Sequence, residues 1–503
     1  MTANKIDSNV TGLNIAYEDA IGVLPVSPVW YPLEPNSYAD FGPNIKTTPR
    51  NPINQSRQRQ KGFVTDLDAT GGFNQDLTQN NMTRHLQAFF FASLREKLTT
   101  TPMNGTKIPI TGVDATTGYA AASGLAGFTA GTLVKTSGFG ITTNNGLKTV
   151  VSSTATAVVM NSQATEAAPP TAAKLEKVGR VFAASDVSFT VNGSLPRMNS
   201  AAVDLTTLGL IPGEWIFVGG DVTNSSFAVS KGWARCSVIT VGYIEFDKSD
   251  WTATAETGTG KSLQIFFGNV LRTEELPANQ VRRTGTLERL MGDAGTGQQA
   301  EYITGATANT LTVNMPQSDK ITLDLGYVAL DGSQNTGAVG LKSGTRITEI
   351  ATDAFNTSSD FSRIKMGVVD VANSNVTPLF AYLLDLNLSI SNNVTSTKAL
   401  GTLGAFDTNA GQFTADGKLT AYLSDISAVS AVRNNTDVTI DIVMAKNNAG
   451  MVFDMPLISL GGGMSKVEKD KPITVPIDAM AAQSRFGHTM LYQNFPYVPS
   501  IAQ

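Results

Sequence analysis

Residues Tyr302–Gly332 read YITGATANTLTVNMPQSDKITLDLGYVALDG. Leu311, Val313 and Met315 alternate with Thr312 and Asn314; after a turn, Ile321, Leu323 and Leu325 alternate with Thr322 and Asp324. A period of two sends successive side chains to opposite faces of a strand, so each run has one apolar and one polar face. The stretch therefore predicts antiparallel strands packed on one side and wet on the other. Nothing in it announces an attacking, coordinating or proton-shuttling group. The same alternation returns in Leu386, Leu388 and Ile390, in Leu419, Ala421 and Leu423, and in Val438, Ile440 and Ile442, the last with Thr439 and Asp441 between.

The chain has 503 residues, a length that suggests two to four domains. Hydrophobic residues at 41% are enough for real cores, while charged residues at 16% fall below the roughly 25% of average domains. The surface must be polar through Thr, Ser, Asn and Gln more than through charge, which suits β-sheet and suits packing against copies of itself. The net charge of −5 is thinly spread. A nucleic-acid binder needs a positive stripe that releases counterions from phosphates, so a grip on nucleic acid is not expected. Cys236 is the single cysteine, which excludes an intramolecular disulfide and a thiolate zinc cluster. The opening TANKIDSNVTG lacks the charged-then-apolar order of a secretory signal. No window approaches the roughly 20 apolar residues of a transmembrane helix. Synthesis and folding in a cytoplasm are expected.

Between about Ala16 and Phe73, Pro25, Pro28, Pro32 and Pro35 speak against helix, and the segment reads as an extended arm or edge. KGFVTDLDATGGF (61–73) reads as a strand, a turn and a strand start. One helix is predicted over 81–98, with Met82, Leu86, Phe89, Phe90, Leu94 and Leu98 on one face and Asn81 as its cap. Short helices are expected in PIDAMAAQSRFG (476–487) and SDISAVSAV (424–432). From Pro102 to about Leu271 the composition changes. Segments starting at Gly127 and Gly209 each carry paired glycines, a strand, a glycine turn, a Gly146-Leu147 or Gly232-Trp233 step and a β-run. They read as two copies of a small β-domain. The expected organisation is mainly β: a core in two pieces, 1–100 and 272–503, a flanking helix at about 81–98, and small inserted β-domains at 101–180 and 181–271.

Several motifs invite a chemical reading, and each has a plainer one. DLDATGG places Asp66, Asp68 and Gly71 as in a calcium loop, but Thr70 is a weak third ligand and Leu77 stands where the closing Glu belongs; a turn is expected. His85 lies beside the apolar face of the helix and is read as packed. Ser484 and His488 could enter a Ser–His–Asp triad, yet no nucleophile elbow accompanies them. GTGKS (258–262) lacks the first glycine of a phosphate loop, because Ala255 holds that place, and the strand-like LQIFF follows it where a helix is required. No catalytic, cofactor-binding or metal-binding residue is assigned. Arg57, Arg59 and Lys61 form the densest basic spot; on a strand they would share one face, as candidate subunit contacts. Trp215 and Trp233 are read as buried core, with sugar stacking as the alternative.

AYEDAIGVLPVSPVWYPL (16–33) followed by TPRNPINQSRQRQKGFVTDLDATGGF (48–73) resembles the opening of the tail tube proteins (major tail proteins) of long-tailed bacteriophages. The matching positions are Glu18, Gly22 and Pro25, then Arg57 and Arg59, then Asp66, Asp68, Gly72 and Phe73. A second block resembles the stretch with Leu287-Glu288-Arg289, Tyr302, Gly305-Ala306 and Asn309 to Leu311; the Gly-x-Ile step of the family is replaced by Asp319-Lys320-Ile321. LNLSISNNV, DGKLTAYLSD and GMVFDMPLISLGGG resemble its closing strands. The resemblance covers the two outer pieces and skips the middle.

It implies an antiparallel β-sandwich or barrel with one flanking helix. It also implies six copies closing into a ring, and rings stacking into a hollow tube through which double-stranded DNA passes without a specific grip. The implied partners are further copies of the chain and other tail proteins: tape measure, tail terminator and distal tail proteins. The implied location is the virion tail, with no membrane and no cofactor. On that reading Thr312, Asn314, Thr322, Asp324, Thr439 and Asp441 are candidates for a luminal or otherwise wet sheet face, and the inserted modules decorate the exterior. The rivals are another virion or surface β-protein, such as a baseplate component or a glycan-binding adhesin, and a carbohydrate hydrolase, which would need a convergent carboxylate pair.

Overall fold

The computed structural model describes residues 11–53, 55, 58–293, 297–335, 340–348, 352–370, 372–380, 382–423 and 426–503. The chain is mainly β, 50% strand and 5% helix, with antiparallel sheets consistent with a β-sandwich. It divides into two compact units. The first comprises Met1–Ala92, Ala278–Thr357 and Leu384–Thr420; the second comprises Ser93–Pro277, Ser358–Leu383 and Ala421–Gln503.

The first unit is built around the strand Gln298–Met315, the middle of the stretch that opens the sequence argument. Its first half pairs with Thr284–Asp293 and Asp331–Asn335, its second half with Thr322–Ala329 and Leu383–Ser391. The exchange of partners follows Gly305, whose φ of +66° bends the chain, and a bulge between Ala308 and Thr310. Beyond Thr284–Asp293 come β1 (Gly12–Tyr17) and then β2 (Val29–Leu33). Beyond Thr322–Ala329 come β4 (Gly62–Asp76) and then β3 (Pro35–Pro49). Leu311, Val313, Met315, Leu323, Leu325, Leu386, Leu388 and Ile390 are all buried, as the alternation requires. Helix α1 (Thr83–Phe90) packs on the central strand, with Phe89 edge-on to Tyr327 at 5.3 Å and Phe73 stacked on the same ring at 6.2 Å.

Two buried or half-buried carboxylates fasten this unit. Glu18 accepts from the N–H groups of Gly22 (2.8 Å) and Gly305 (2.9 Å) and from the hydroxyls of Thr284 (2.8 Å) and Thr286 (2.7 Å). Glu288 is fully buried and accepts from Asn14 (3.0 Å), Tyr302 (2.8 Å) and Arg346 (2.9 Å). Glu18 with Gly22 and Gly305, and Glu288 with Tyr302, scattered through the sequence, are thus joined in space as two structural staples. A bond to a charged acceptor contributes about 1.5–3 kcal/mol. Glu18→Ala is accordingly expected to destabilise the chain by about 2 kcal/mol or more, read as a lower urea midpoint.

Several expectations need correction. The helix stops at Phe90: Phe91 adopts a left-handed φ of 47°, and Ala92 N–H closes on the Gln87 carbonyl at 3.2 Å. Leu94 and Leu98 lie beyond it. Asn81 does not cap the helix; its side chain ties the preceding turn, accepting from Thr78 N–H at 3.2 Å and donating to the Asp76 carbonyl at 2.9 Å. The segment read as an extended arm or edge is more regular than expected: most of it is β2 and a long β3–β4 hairpin. Proline is tolerated there because edge strands need fewer N–H donors. DLDATGG is no turn but the middle of β4. PIDAMAAQ is not helical: Thr474–Ala481 is a strand that buries Val475, Ile477 and Ala479. The short helix expected in 424–432 is present as α2 (Ser427–Arg433).

In the second unit, twelve strands form one antiparallel sheet from Val187–Asn192 at one edge to Ile110–Asp114 at the other. Lys174–Val181 is its hinge strand, pairing with Thr132–Ser137 on one side and with Gln264–Phe267 on the other. Two cores flank that strand. One gathers Tyr119, Phe128, Val134, Val158 and Leu175; the other gathers Phe189, Ile216, Phe227, Phe246 and Trp251. A third cluster joins Trp215, Phe217, Trp233 and Phe266 to Val443, Val452, Leu491 and Phe495. The last four come from a further sheet in which Val438–Lys446 pairs with Phe361–Val368 and with Ala449–Gly462, itself paired with Leu491–Phe495. Gln493 completes the joint: its amide accepts from the Trp215 N–H and donates to the Trp215 carbonyl, each at 2.9 Å. Trp215 and Trp233 are core residues, as read.

Candidate assembly surface

Four of the six residues read as a wet face come together. Thr312 lies opposite Asp324, and Asn314 opposite Thr322. Asp324 is exposed and accepts from Asn314 (2.7 Å) and, from β4, Asn74 (2.7 Å). Asn36 of β3 donates to Asn74 at 3.2 Å, and Lys320 lies 2.8 Å from Asp76. The result is a sheet face of amides, hydroxyls and carboxylates backed by the apolar core.

Thr439 and Asp441 are not part of any wet face. Both are buried at 1% exposure, because Val438–Lys446 is covered on its two sides. Their polarity serves an internal network instead. Arg235 bonds Asp247 at 2.8 and 3.1 Å, Asp454 at 3.1 Å and the Thr439 hydroxyl at 3.3 Å. Arg363 pairs with Asp441 and Asp250. Burial works against these charges, but the guanidiniums prevail at Asp247, whose carboxyl is held below its ordinary range. Alternation alone cannot separate a solvent face from a buried ionic one.

The longest strand without a buried residue among the described ones is β3. Its 15 residues include no buried side chain, and every ladder bond described for it goes to β4. β4 is anchored by Leu67, Ala69 and Phe73, whereas its start carries exposed Phe63 and Val64 opposite Thr48 and Thr47. Gly72 is required where the two strands close: a Cβ there would lie 2.1 Å from the Ala39 carbonyl oxygen. Pro43 and bulges at Ala39/Gly42 and Lys46/Thr47 interrupt the free edge of β3, which limits indiscriminate pairing. Arg59 and Lys61 are exposed but precede β4 and belong to no strand, so the shared-face argument for them fails; Arg57 lies outside the described residues.

The supposed calcium ligands are already occupied. Lys398 Nζ lies 2.6 Å from Asp66 and 2.5 Å from Asp68, and Lys46 also pairs with both. Hydrogen bonds from Lys398 first, then Lys46, hold Asp68 below the usual carboxylate range. Among the described residues no group of three His, Cys, Asp or Glu side chains could hold a metal ion. GTGKS is a turn, with Lys261 N–H on the Gly258 carbonyl at 2.9 Å, leading into the strand Gln264–Phe267.

The histidines are packed, not catalytic in geometry. His85 Nδ1 lies 3.0 Å from the Tyr17 hydroxyl, and the Ser484 hydroxyl donates to the His488 carbonyl at 2.8 Å instead of meeting its ring. Burial pushes both imidazoles from 6.5 down to about 3. Folded-state values below the unfolded one mean that their contribution is full above pH 6.5 and is lost as pH falls toward 3. The unfolding free energy obtained from urea denaturation should fall across that window, by at most about 1.4 kcal/mol per pH unit for each histidine. His85→Gln should flatten the slope.

The family model for phage tail tube protein matches residues 201–481, more than half of the chain. The chain belongs to the phage tail tube proteins. No curated protein matches it. The matched span starts inside the segment read as inserted and ends before the last strand, so it overlaps only in part the blocks that carry the resemblance in the sequence. For a tail tube protein the functional surface is an assembly surface, and the role is structural, within the virion tail and in company with itself and other tail proteins. The family is not an enzyme family. No helix among the described residues is long and apolar enough to cross a membrane. The sequence reads 16–73 as an extended arm or edge and does not show that Pro35–Pro49 is a regular strand paired along its length with β4. Nor does it show the role of Lys398, whose partners are remote in sequence.

Proposed function

We propose that the chain is the repeating subunit of a phage tail tube: six copies close into a ring, rings stack, and genomic double-stranded DNA passes through the bore. The observation that carries this reading is β3, an exposed 15-residue strand bonded on one side only among the described pairings. Such an edge is a hazard in a solitary protein and an asset in a ring, where each copy completes its neighbour. The face bearing Thr312, Asn314, Thr322, Asp324 and Asn74 suits the bore, since neutral and acidic groups do not hold phosphates. Arg59 and Lys61 serve as contacts between copies. Residues 101–180 and 181–271 act as two modules on the outside of the tail, with 1–100 and 272–503 forming the tube wall. A structural and not an enzymatic role fits the family, and both histidines and Cys236 are buried.

The test is a chain in which residues 44–64 are replaced by a two-residue turn, compared with the unaltered chain by negative-stain imaging. The unaltered chain should form stacked rings of constant bore, and the shortened one should remain folded and unassembled. Discrete trimers or monomers from the unaltered chain would favour the baseplate or adhesin reading.

A further inference from the structure

The segment Lys398–Phe406, KALGTLGAF, is a hairpin loop on the small two-stranded sheet Thr395–Thr397 and Asp407–Asn409. Its base is nailed down: Thr408 is buried, and its hydroxyl lies 2.8 Å from that of Thr307 on the central strand. Its start is clasped to β4 through Lys398, Asp66 and Asp68. Its far side presses on the core, since a Cβ at Gly404 would meet the Leu330 carbonyl at 3.2 Å and Leu67 at 3.3 Å. A turn closes the tip, with Thr402 Oγ1 donating to the Ala399 carbonyl at 2.8 Å. Despite these anchors, the loop shows three large apolar side chains to solvent: Leu400 completely, Leu403 at 58% and Phe406 at 53%.

A loop held in one shape while displaying leucine and phenylalanine has the build of a contact surface, because order there costs entropy and exposed apolar clusters cost hydration. We propose that Leu400, Leu403 and Phe406 are docking knobs for a second copy of this chain, set in position by the Lys398 clasp. The inference rests on the tube-subunit reading and adds the residues of one contact. The family assembles with itself, which favours this occupant. The clasp's two lysines and two aspartates cancel, so the loop offers nothing to attract nucleic acid or an anionic membrane. The clasp also fixes the knobs beside the β4 segment whose Phe63 and Val64 are exposed.

The test uses full-length L403D, the double variant L400D/L403D and K398A, assayed by sedimentation and negative-stain imaging beside the unaltered chain. All three sites are at the surface, and circular dichroism and the urea midpoint monitor folding. The expected result is an unchanged midpoint for the knob variants with at least a tenfold rise in the concentration needed for rings or tubes, and a smaller rise for K398A. Knob variants that assemble as the unaltered chain does would overturn the docking role and leave the tube reading standing. An unaltered chain that forms no ring or tube would overturn both. Flotation of the unaltered chain with neutral lipid vesicles, abolished in the knob variants, would assign the loop to a membrane surface and contradict the proposal.

Discussion

Arg235→Leu is expected to destabilise the second unit by about 3–5 kcal/mol. Arg235 is 1% exposed and satisfies two carboxylates, Asp247 and Asp454, the latter wholly buried. Removing the guanidinium while keeping Asp454 leaves a carboxylate without the cation that compensates it, and desolvation already pushes that carboxyl up to about 6. The effect should appear as a lower urea midpoint followed by tryptophan fluorescence, since Trp215, Trp233 and Trp251 are buried in the same unit. A second variant separates lost attraction from stranded charge. Arg235→Leu combined with Asp454→Leu should recover much of the loss, because an apolar pair of similar volume often matches a buried ion pair. An unchanged midpoint for Arg235→Leu would mean that this network does not hold the sheets together.

Gly72→Val should be nearly as damaging, for a steric reason. The added Cβ would sit 2.1 Å from the Ala39 carbonyl oxygen, a backbone atom that cannot swing aside as a side-chain tip does. The only relief is to part β3 from β4 near the bulge between Ala39 and Gly42. Overpacking of this kind costs about 1–3 kcal/mol, and the upper end is expected here. Gly12→Ala is the control, since its Cβ would meet only Leu290 at an ordinary 3.6 Å. Hydrogen exchange should show faster exchange of β3 amides in Gly72→Val and little change in Gly12→Ala. Equal behaviour of the two would refute the close-approach explanation.

Legibility in the sequence followed how local each signal was. The strands through Leu311–Met315 and Ile321–Leu325 were readable because burial there alternates with period two, and the four polar residues between them do share a face. Thr439 and Asp441 show the same alternation yet are buried, because the groups that cover them, Arg235 and Arg363, lie far away in the chain. The helix predicted over 81–98 is shorter in the structure, Thr83–Phe90: the apolar stripe continues through Leu94 and Leu98, and Phe91, not a glycine, takes the left-handed turn that ends it. The β3–β4 hairpin was hidden by its prolines, which exclude helix but are compatible with an edge strand. Asp66 and Asp68 looked like ligands because their lysine partners are distant in sequence and close only in the fold.

A tube of this chain requires neighbouring copies to complete the free edge of β3. A helical reconstruction of assembled tubes at side-chain resolution measures this directly. The predicted result is a closed ring of identical subunits with β3 main-chain groups within hydrogen-bond distance of a strand from the adjacent copy. Tubes in which β3 faces solvent along its length, or an assembly with no continuous bore, would contradict it.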